Sequence, residues 1–481
     1  MATQPERKTA DGSDVTKGAD FASGGALSRR VLVAVFAIAF ILRLINAISM
    51  GSDPALALIG DGNYYWRGAQ AWLDKGPFMH MTGPGNYQPQ TERVPLYHMF
   101  LIPFRWTFGD AVFPALVGQA VVDAGTCVVI ALLGALVSPA IGVVSGLLSA
   151  FWPNLTIHSG MILGDTLFVF LFSLLLLYSA RFLRDCRTDD LAITGLLCGL
   201  AIMTRPIALF LPIAMAIAAP LIAIRHRRDW RARLGYPVLL LALAALPVLP
   251  LVARNFVEFD TLQLTSQRGP HMLNWIVGLS RAQLEGRPFE EVTKELDTEF
   301  NVSLKRDGID PEALNSFERS RLASSFALEK LKQIPLHGLA KVWMQNGAIN
   351  LAAPAILGDP RIRALQTASF YDTRADGLVA HVFNFLRGNG TVYLIWFTGG
   401  LTFAMIALAL QVFGFGILVR LSPWGAIFAV LVIAYFLLIN GPVSLPKYRL
   451  PFEPVLIVFQ AIALTHLWKF AKKFRSGLRR A

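Results

Sequence analysis

Long apolar runs broken by short polar stretches dominate the chain. Ten runs are long enough, or nearly so, to cross a bilayer as helices: 31–48, 111–137, 141–157, 161–183, 191–203, 206–224, 236–252, 392–418, 424–439 and 454–467. About 20 apolar residues span the hydrocarbon core as an α-helix. Runs 141–157 and 191–203 fall short of that, so they need a tilt, a thin bilayer or a partly broken helix packed inside protein. Exposed irregular backbone is not tolerated in lipid, so the pattern predicts helices rather than isolated strands.

Two longer polar stretches, 51–110 and 253–391, interrupt the runs. In the first, Tyr64, Tyr65, Ala69, Trp72 and Leu73 recur at helical spacing, the mark of an amphipathic helix lying in the interface plane. A second short helix follows Pro95, with Tyr97, Phe100, Phe104 and Trp106 as aromatics at headgroup depth. In the larger stretch, 290–300, 315–333 and 338–353 read as helices, and glycines at 51–53, 358–360 and 388–390 mark turns.

Composition supports this division. The 481 residues are 54% hydrophobic and 16% charged, too little charge to cover soluble domains of that length. The net charge of +12 does not point to nucleic acid, because the basic residues cluster beside apolar runs, where anionic lipid headgroups account for them. Cys127, Cys186 and Cys198 match neither a thiolate metal site nor a disulfide framework.

The basic clusters also orient the chain. With ten spans, Arg29–Arg30, Arg181, Arg184 and Arg187, the group Arg225 to Arg233, Arg420, and the run from Lys469 to Arg480 all fall on one face, expected to be cytoplasmic. The chain then divides into a disordered cytoplasmic tail (1–28), an N-terminal transmembrane module (29–252) whose first outer loop (51–110) carries the chemistry, a large, partly helical outer loop (253–391), a C-terminal transmembrane module (392–468) and a basic cytoplasmic tail (469–481). Run 31–48 holds Arg43 and lacks a small-residue cleavage site after it, so it reads as a retained helix rather than a signal peptide.

On the opposite face, Asp61 lies between two glycines at the start of the amphipathic helix, as a cap or as a general base on an acceptor hydroxyl or phosphate. Asp165, just inside the fourth run, falls on the same side; acids at such positions face protein or water and are functional candidates. The two carboxylates leave room for a divalent cation without requiring one, so the metal and cofactor assignment is unknown. Nearby His158 reads as an interface residue ahead of a helper, and Asp123, midway along 111–137, as a structural partner for another helix. Arg93, Arg205, Arg254 with Asn255, and Lys447 with Arg449 crowd the same face, an excess of cations that asks for an anionic partner such as a lipid phosphate. Ser266, Gly269, Asn274 and Trp275 offer a weak sugar-binding signal, and there is no nucleotide-binding motif.

These pieces, in this order, resemble the polytopic GT-C glycosyltransferases related to protein O-mannosyltransferases and to bacterial aminoarabinose transferases of lipid A. The matching stretches are Asp61-Gly-Asn-Tyr-Tyr65 with Ala69, Arg93-Val-Pro-Leu-Tyr97, Gly164-Asp165-Thr-Leu-Phe168, Thr204-Arg205-Pro206, Arg254-Asn255 and Tyr448-Arg449-Leu-Pro451. The resemblance implies an all-α, GT-C type transmembrane bundle of about ten spans with periplasmic amphipathic helices. It implies inverting transfer of a sugar from a polyprenyl-phosphate donor to a lipid, glycan or protein acceptor at the outer face of a bacterial inner membrane. Asp61 takes the role of base, Asp165 the second acidic position and Arg93 that of a phosphate-binding catalytic residue, while Tyr65, Tyr97, Arg205, Arg254, Asn255, Lys447 and Arg449 line the donor site. Gly62 departs from the pattern, since many relatives carry a second acid there. A lipid or solute transporter, or a non-catalytic subunit of an envelope assembly, shares the spans and buried charge. A transporter needs a polar path to the cytoplasm, toward which only Asp123 points.

Overall fold

The computed structural model describes residues 27–368, 373 and 375–478, so most of the expected N-terminal tail, and Arg479 and Arg480 of the basic one, lie outside the described residues. Seven helices are long and apolar enough to cross a bilayer: Arg29–Gly51, Phe113–Ala135, Asp165–Asp185, Pro206–Arg225, Thr391–Leu421, Pro423–Asn440 and Pro446–Ser476. Two further spans are bent pairs, Pro139–Ala150 with Pro153–Ser159 at 49° and Trp230–Ala245 with Leu249–Phe259 at 59°, giving up to nine among the described residues. Each break lies at proline, which lacks an amide donor and obstructs the preceding turn: Pro153 in the first pair, Pro247 and Pro250 in the second.

The short run 191–203 forms the 17-residue helix Thr188–Thr204. It packs antiparallel to Asp165–Asp185, tied at one end by Arg181 to Asp190 (3.1 Å) and at the other by Arg205 to Asp165. The two helices therefore cover the same distance. The fourth run starts later than its apolar residues suggest, because 161–164 form an irregular turn before the helix begins at Asp165.

At the centre, Phe168 and Phe172 stack along their helix and meet Phe436 edge-on, and Phe436 also contacts Phe452. Close approach is set by small residues: a Cβ on Gly414 would lie 1.8 Å from the Phe459 carbonyl oxygen, so the Thr391–Leu421 and Glu453–Leu478 helices touch backbone to backbone.

Arg43 is fully buried. Its Nε donates to Asp123 at 2.7 Å, and its Nη atoms donate to the carbonyls of Ser149 (2.9 Å) and Ala150. Those carbonyls belong to the last turn of Pro139–Ala150, where the bend interrupts the backbone ladder; Arg43 thus supplies the donors that the break removes. Asn46, one turn on, donates to the Thr156 carbonyl beyond the bend at 2.7 Å.

The basic segments converge at one end. Arg225 and Arg228 donate to the carbonyls of Leu183 and Cys186, and Arg225 lies 5.2 Å over the Trp424 ring. At the other end, helices Gly62–Lys75 and Leu96–Phe108 flank a two-stranded hairpin, Met79–Gly83 with Asn86–Pro89. The hairpin corrects the all-helical expectation outside the spans; Gly83-Pro84-Gly85-Asn86 is its turn signal. Tyr97 is fully buried rather than at headgroup depth, whereas Trp106 is exposed. The large loop contains helices Phe289–Arg306, Ser316–Lys332 and Leu336–Ala352; the first two share a small core with Leu273, Val277, Leu296, Phe300 and Ala327.

Replacing Arg43 with Met is expected to destabilise the bundle by about 3–5 kcal/mol, since it strands Asp123 and two carbonyls in an apolar setting. The double change Arg43→Met/Asp123→Leu should cost less than Arg43→Met alone. Thermal unfolding in detergent measures both, and additive losses would show that the pair is not coupled.

Candidate functional site

Asp61 immediately precedes the Gly62–Lys75 helix but makes no capping bond with its side chain. The carboxylate instead accepts from Arg93 Nη2 at 3.0 Å. Gly62 is required where it stands: a Cβ there would lie 3.3 Å from the carbonyl oxygens of both Ala57 and Ile162. An acid at position 62 would therefore point into packed backbone rather than into the site.

Arg93 is positioned from three sides. Its carbonyl accepts from Gln90 Nε2 at 2.7 Å, its guanidinium lies 5.4 Å over the Tyr64 ring, and Tyr64 stacks on His80 at 3.8 Å. Asp165 opens its helix and is paired with Arg205, which leaves the Thr188–Thr204 helix in extended conformation before Pro206. Tyr65 meets Tyr97 edge-on at 4.9 Å, and the Tyr97 hydroxyl donates to Gln119 at 2.5 Å. Gln119 in turn donates to the carbonyls of Ser159 (3.0 Å) and Met161 (2.8 Å), holding the irregular turn that delivers Asp165.

Burial alone would raise the Asp61 carboxyl, but the charges of Arg93, Lys447 and Arg205 outweigh it and hold the group below the usual carboxylate range. Burial pushes the Tyr65 phenol up to about 12 and the His98 imidazole down to about 3, so both are neutral at physiological pH. Lys447 acts on Asp61 electrostatically and has no ion-pair partner among the described residues.

Asp61, Tyr65, Arg93, Tyr97, Asp165, Arg205 and Lys447 thus gather at one end of the bundle. Three other expected members are engaged elsewhere. Arg449 donates to buried Glu453 at 2.8 Å and to the carbonyls of Leu351 and Ala353, closing the C-terminus of Leu336–Ala352. Arg254 donates to the Gln90 carbonyl (3.0 Å) and pairs with Glu258 (2.8 Å), while Asn255 donates to the carbonyls of Gln263 and Leu264. These residues clasp loops together. Ser266 and Gly269 likewise bond to Thr91 and Ser320, and Trp275 packs on Phe289. Among the described residues no group of three or more His, Cys, Asp or Glu side chains is arranged to hold a metal ion.

The family model for dolichyl-phosphate-mannose-protein mannosyltransferases matches residues 93–251, from Arg93 through Asp165 and Arg205. No curated protein sequence matches the chain. Among solved structures, the archaeal oligosaccharyltransferase of Archaeoglobus fulgidus, in complex with an inhibitory peptide and a dolichol-phosphate, is similar at a TM-score of 0.50 and 14% identity; the alignment covers 94% of this chain and 51% of that one. Its apo form aligns at 0.50 and 15% identity over 93% of this chain and 51% of that one. The ArnT protein of Cupriavidus metallidurans, bound to undecaprenyl phosphate, aligns over 91% of this chain and 78% of that one at 12% identity, but its TM-score of 0.38 is too low to establish a shared fold. The chain spans about half the length of the oligosaccharyltransferase and shares its helical fold over that half.

The depressed Asp61 group contributes stability at pH values above its unfolded pKa, near 4, and loses it as pH falls through the lower folded value. Because the Asp61 side chain is 47% exposed, solvent screening keeps the contribution below about 1 kcal/mol. Asp61→Asn should therefore unfold within a few degrees of wild type at pH 7, and the two should converge as the solution is acidified below pH 4. Melting curves against pH check this; a gap that widens toward acid would mean that the fold holds Asp61 protonated.

Proposed function

We propose that the chain is an inverting glycosyltransferase that moves a sugar from a polyprenyl-phosphate donor to a lipid, glycan or protein hydroxyl at the outer face of a bacterial inner membrane. The observation that carries this reading is the convergence of three cations, Arg93, Arg205 and Lys447, on two carboxylates at one rim of an apolar bundle. Directly beside Arg205, the exposed residues Leu209, Phe210, Ile213, Ile217 and Leu221 form an apolar stripe along one helix. A ligand that is anionic at one end and apolar along its length satisfies both features. We read the bundle as ten-spanning, with the Thr188–Thr204 helix as a crossing, both termini cytoplasmic and the basic end inside.

In the reaction, an acceptor oxygen attacks the anomeric carbon from the side opposite the phosphate, and the C–O bond to phosphate breaks with its electron pair on the phosphate. Asp61 takes the acceptor proton. Paired with Arg93, Asp61 is a weak base. A donor phosphate that engages Arg93 and Lys447 loosens that pair and leaves a negative charge nearby, both of which strengthen the base. Arg93, Lys447 and Arg205 then neutralise the charge on the departing phosphate. Asp165 holds Arg205 in place.

Asp61→Asn should abolish transfer while the protein stays folded in the membrane; wild-type turnover in that variant would remove Asp61 from the mechanism. Arg93→Ala should raise the KM for the donor about tenfold or more, at the magnitude of a charge-assisted hydrogen bond. Arg449→Gln should instead lower stability, leaving Glu453 buried and unpaired, with donor KM in the surviving folded fraction near wild type. Donor titrations and melting curves on the purified variants separate the two arginines.

A further inference from the structure

One polar side chain at the site has no role in the scheme above. His158 is 3% exposed. Its Nδ1 lies 2.9 Å from the Asn154 carbonyl oxygen and donates to it, so in the neutral form of the ring Nε2 is the acceptor. Nε2 has no hydrogen-bond partner among the described residues. The ring is within electrostatic reach of Asp165, Lys447 and Arg205, and the Thr166 hydroxyl donates to the His158 carbonyl at 3.2 Å, locking the residue to the turn that carries Asp165. The far wall is the turn Ala355–Gly358 of the large loop. A Cβ on Gly358 would stand 3.2 Å from His158 Cε1 and 3.7 Å from Nε2, so the glycine backbone packs closely on the imidazole edge and any side chain there would crowd it.

The two carboxylates are already accepting from arginines, whereas Nε2 is an uncommitted acceptor within electrostatic reach of Lys447, whose ammonium has no ion-pair partner among the described residues. A sugar hydroxyl needs both, since it donates one hydrogen bond and accepts others. A phosphate, by contrast, has no proton to give to a neutral imidazole. We infer that His158, packed beside Gly358, accepts a hydrogen bond at Nε2 from one hydroxyl of the transferred sugar and so helps to select it. This rests on the transferase reading above.

The test uses the purified full-length chain in lipid nanodiscs with a polyprenyl-phosphate sugar that wild type transfers, and with singly deoxygenated versions of that donor. Wild type should lose about tenfold in kcat/KM with one deoxy donor. His158→Phe should bring the parent donor down to the level of that analogue and leave the analogue itself unchanged. His158→Gln, which keeps an acceptor, should recover part of the discrimination. Gly358→Ala, whose Cβ would crowd the imidazole edge and displace Nε2, should weaken it. Sugar-free polyprenyl phosphate should bind all four proteins alike. An equal fall on every donor, or weakened binding of the sugar-free phosphate, would overturn the assignment. Failure of wild type to use any polyprenyl-phosphate sugar would instead remove the transferase reading, and this inference with it.

Discussion

A guanidinium group inside an apolar bundle must find anions or carbonyl oxygens, and this fold is organised around where it finds them. Arg43 closes the broken end of Pro139–Ala150 and pairs with Asp123. Arg449 does the same for the end of Leu336–Ala352 and pairs with Glu453, which Asn154 also supports at 2.8 Å. Helix breaks expose carbonyls that lipid cannot satisfy, and an arginine spanning a break and a nearby acid supplies both the donors and the neutralising charge. The first bend and the end of Leu336–Ala352 are thereby fixed. The second of these knots pins the segment preceding the last span, on which Lys447 is carried.

Arg93 and Arg205 use the same chemistry at the rim, with a different consequence. At the rim Asp61 is about half exposed and the Arg93 and Arg205 side chains retain about a fifth of their surface, whereas Asp165 is itself buried. A pair open to solvent can exchange partners, because an incoming phosphate meets guanidinium without the full cost of stranding a buried carboxylate. Exposure of the acid therefore separates the Arg93–Asp61 pair, which can open to a ligand, from the buried pairs that hold the fold, although all four arginines look alike in sequence as charges beside apolar runs.

That difference marks the limit of legibility in the sequence. Asp61, Arg93, Asp165, Arg205 and Lys447 could be placed on one face because apolar runs and basic clusters fix which side each loop occupies. Helices over 316–332 and 336–352 were readable too, from their helical hydrophobic pattern; the structure shows the first opened by an Asn315–Glu318 capping box. Charge and order alone do not say whether an arginine faces a cavity or a helix end, so Arg254 and Arg449 read like Arg93. Their positions depend on contacts with Gln90 and Leu351, far away in the chain. Gln119 carried a usable signal, a lone amide in an apolar run, but its target, the turn at 159–161, becomes visible only when the helices are assembled.

The large loop is part of this machinery rather than a cover laid over it. Asp359 is buried, caps the short helix Pro360–Arg363 through the Arg361 amide and pairs with the Arg361 guanidinium. That guanidinium also donates to Ser49 and Asn46 of the first helix, and Asn46 in turn holds the backbone beyond the first bend. The turn carrying Gly358 is thus bolted to the same element whose Arg43 fixes the broken span beneath His158. A wall anchored this way cannot retreat for a bulkier group without straining the first helix, so the space at the imidazole edge is set by the scaffold and not by loop motion. On the proposed reading, selection of the sugar would belong to this rigid corner, and adaptation to different acceptors would fall to parts of the large loop that lack such ties.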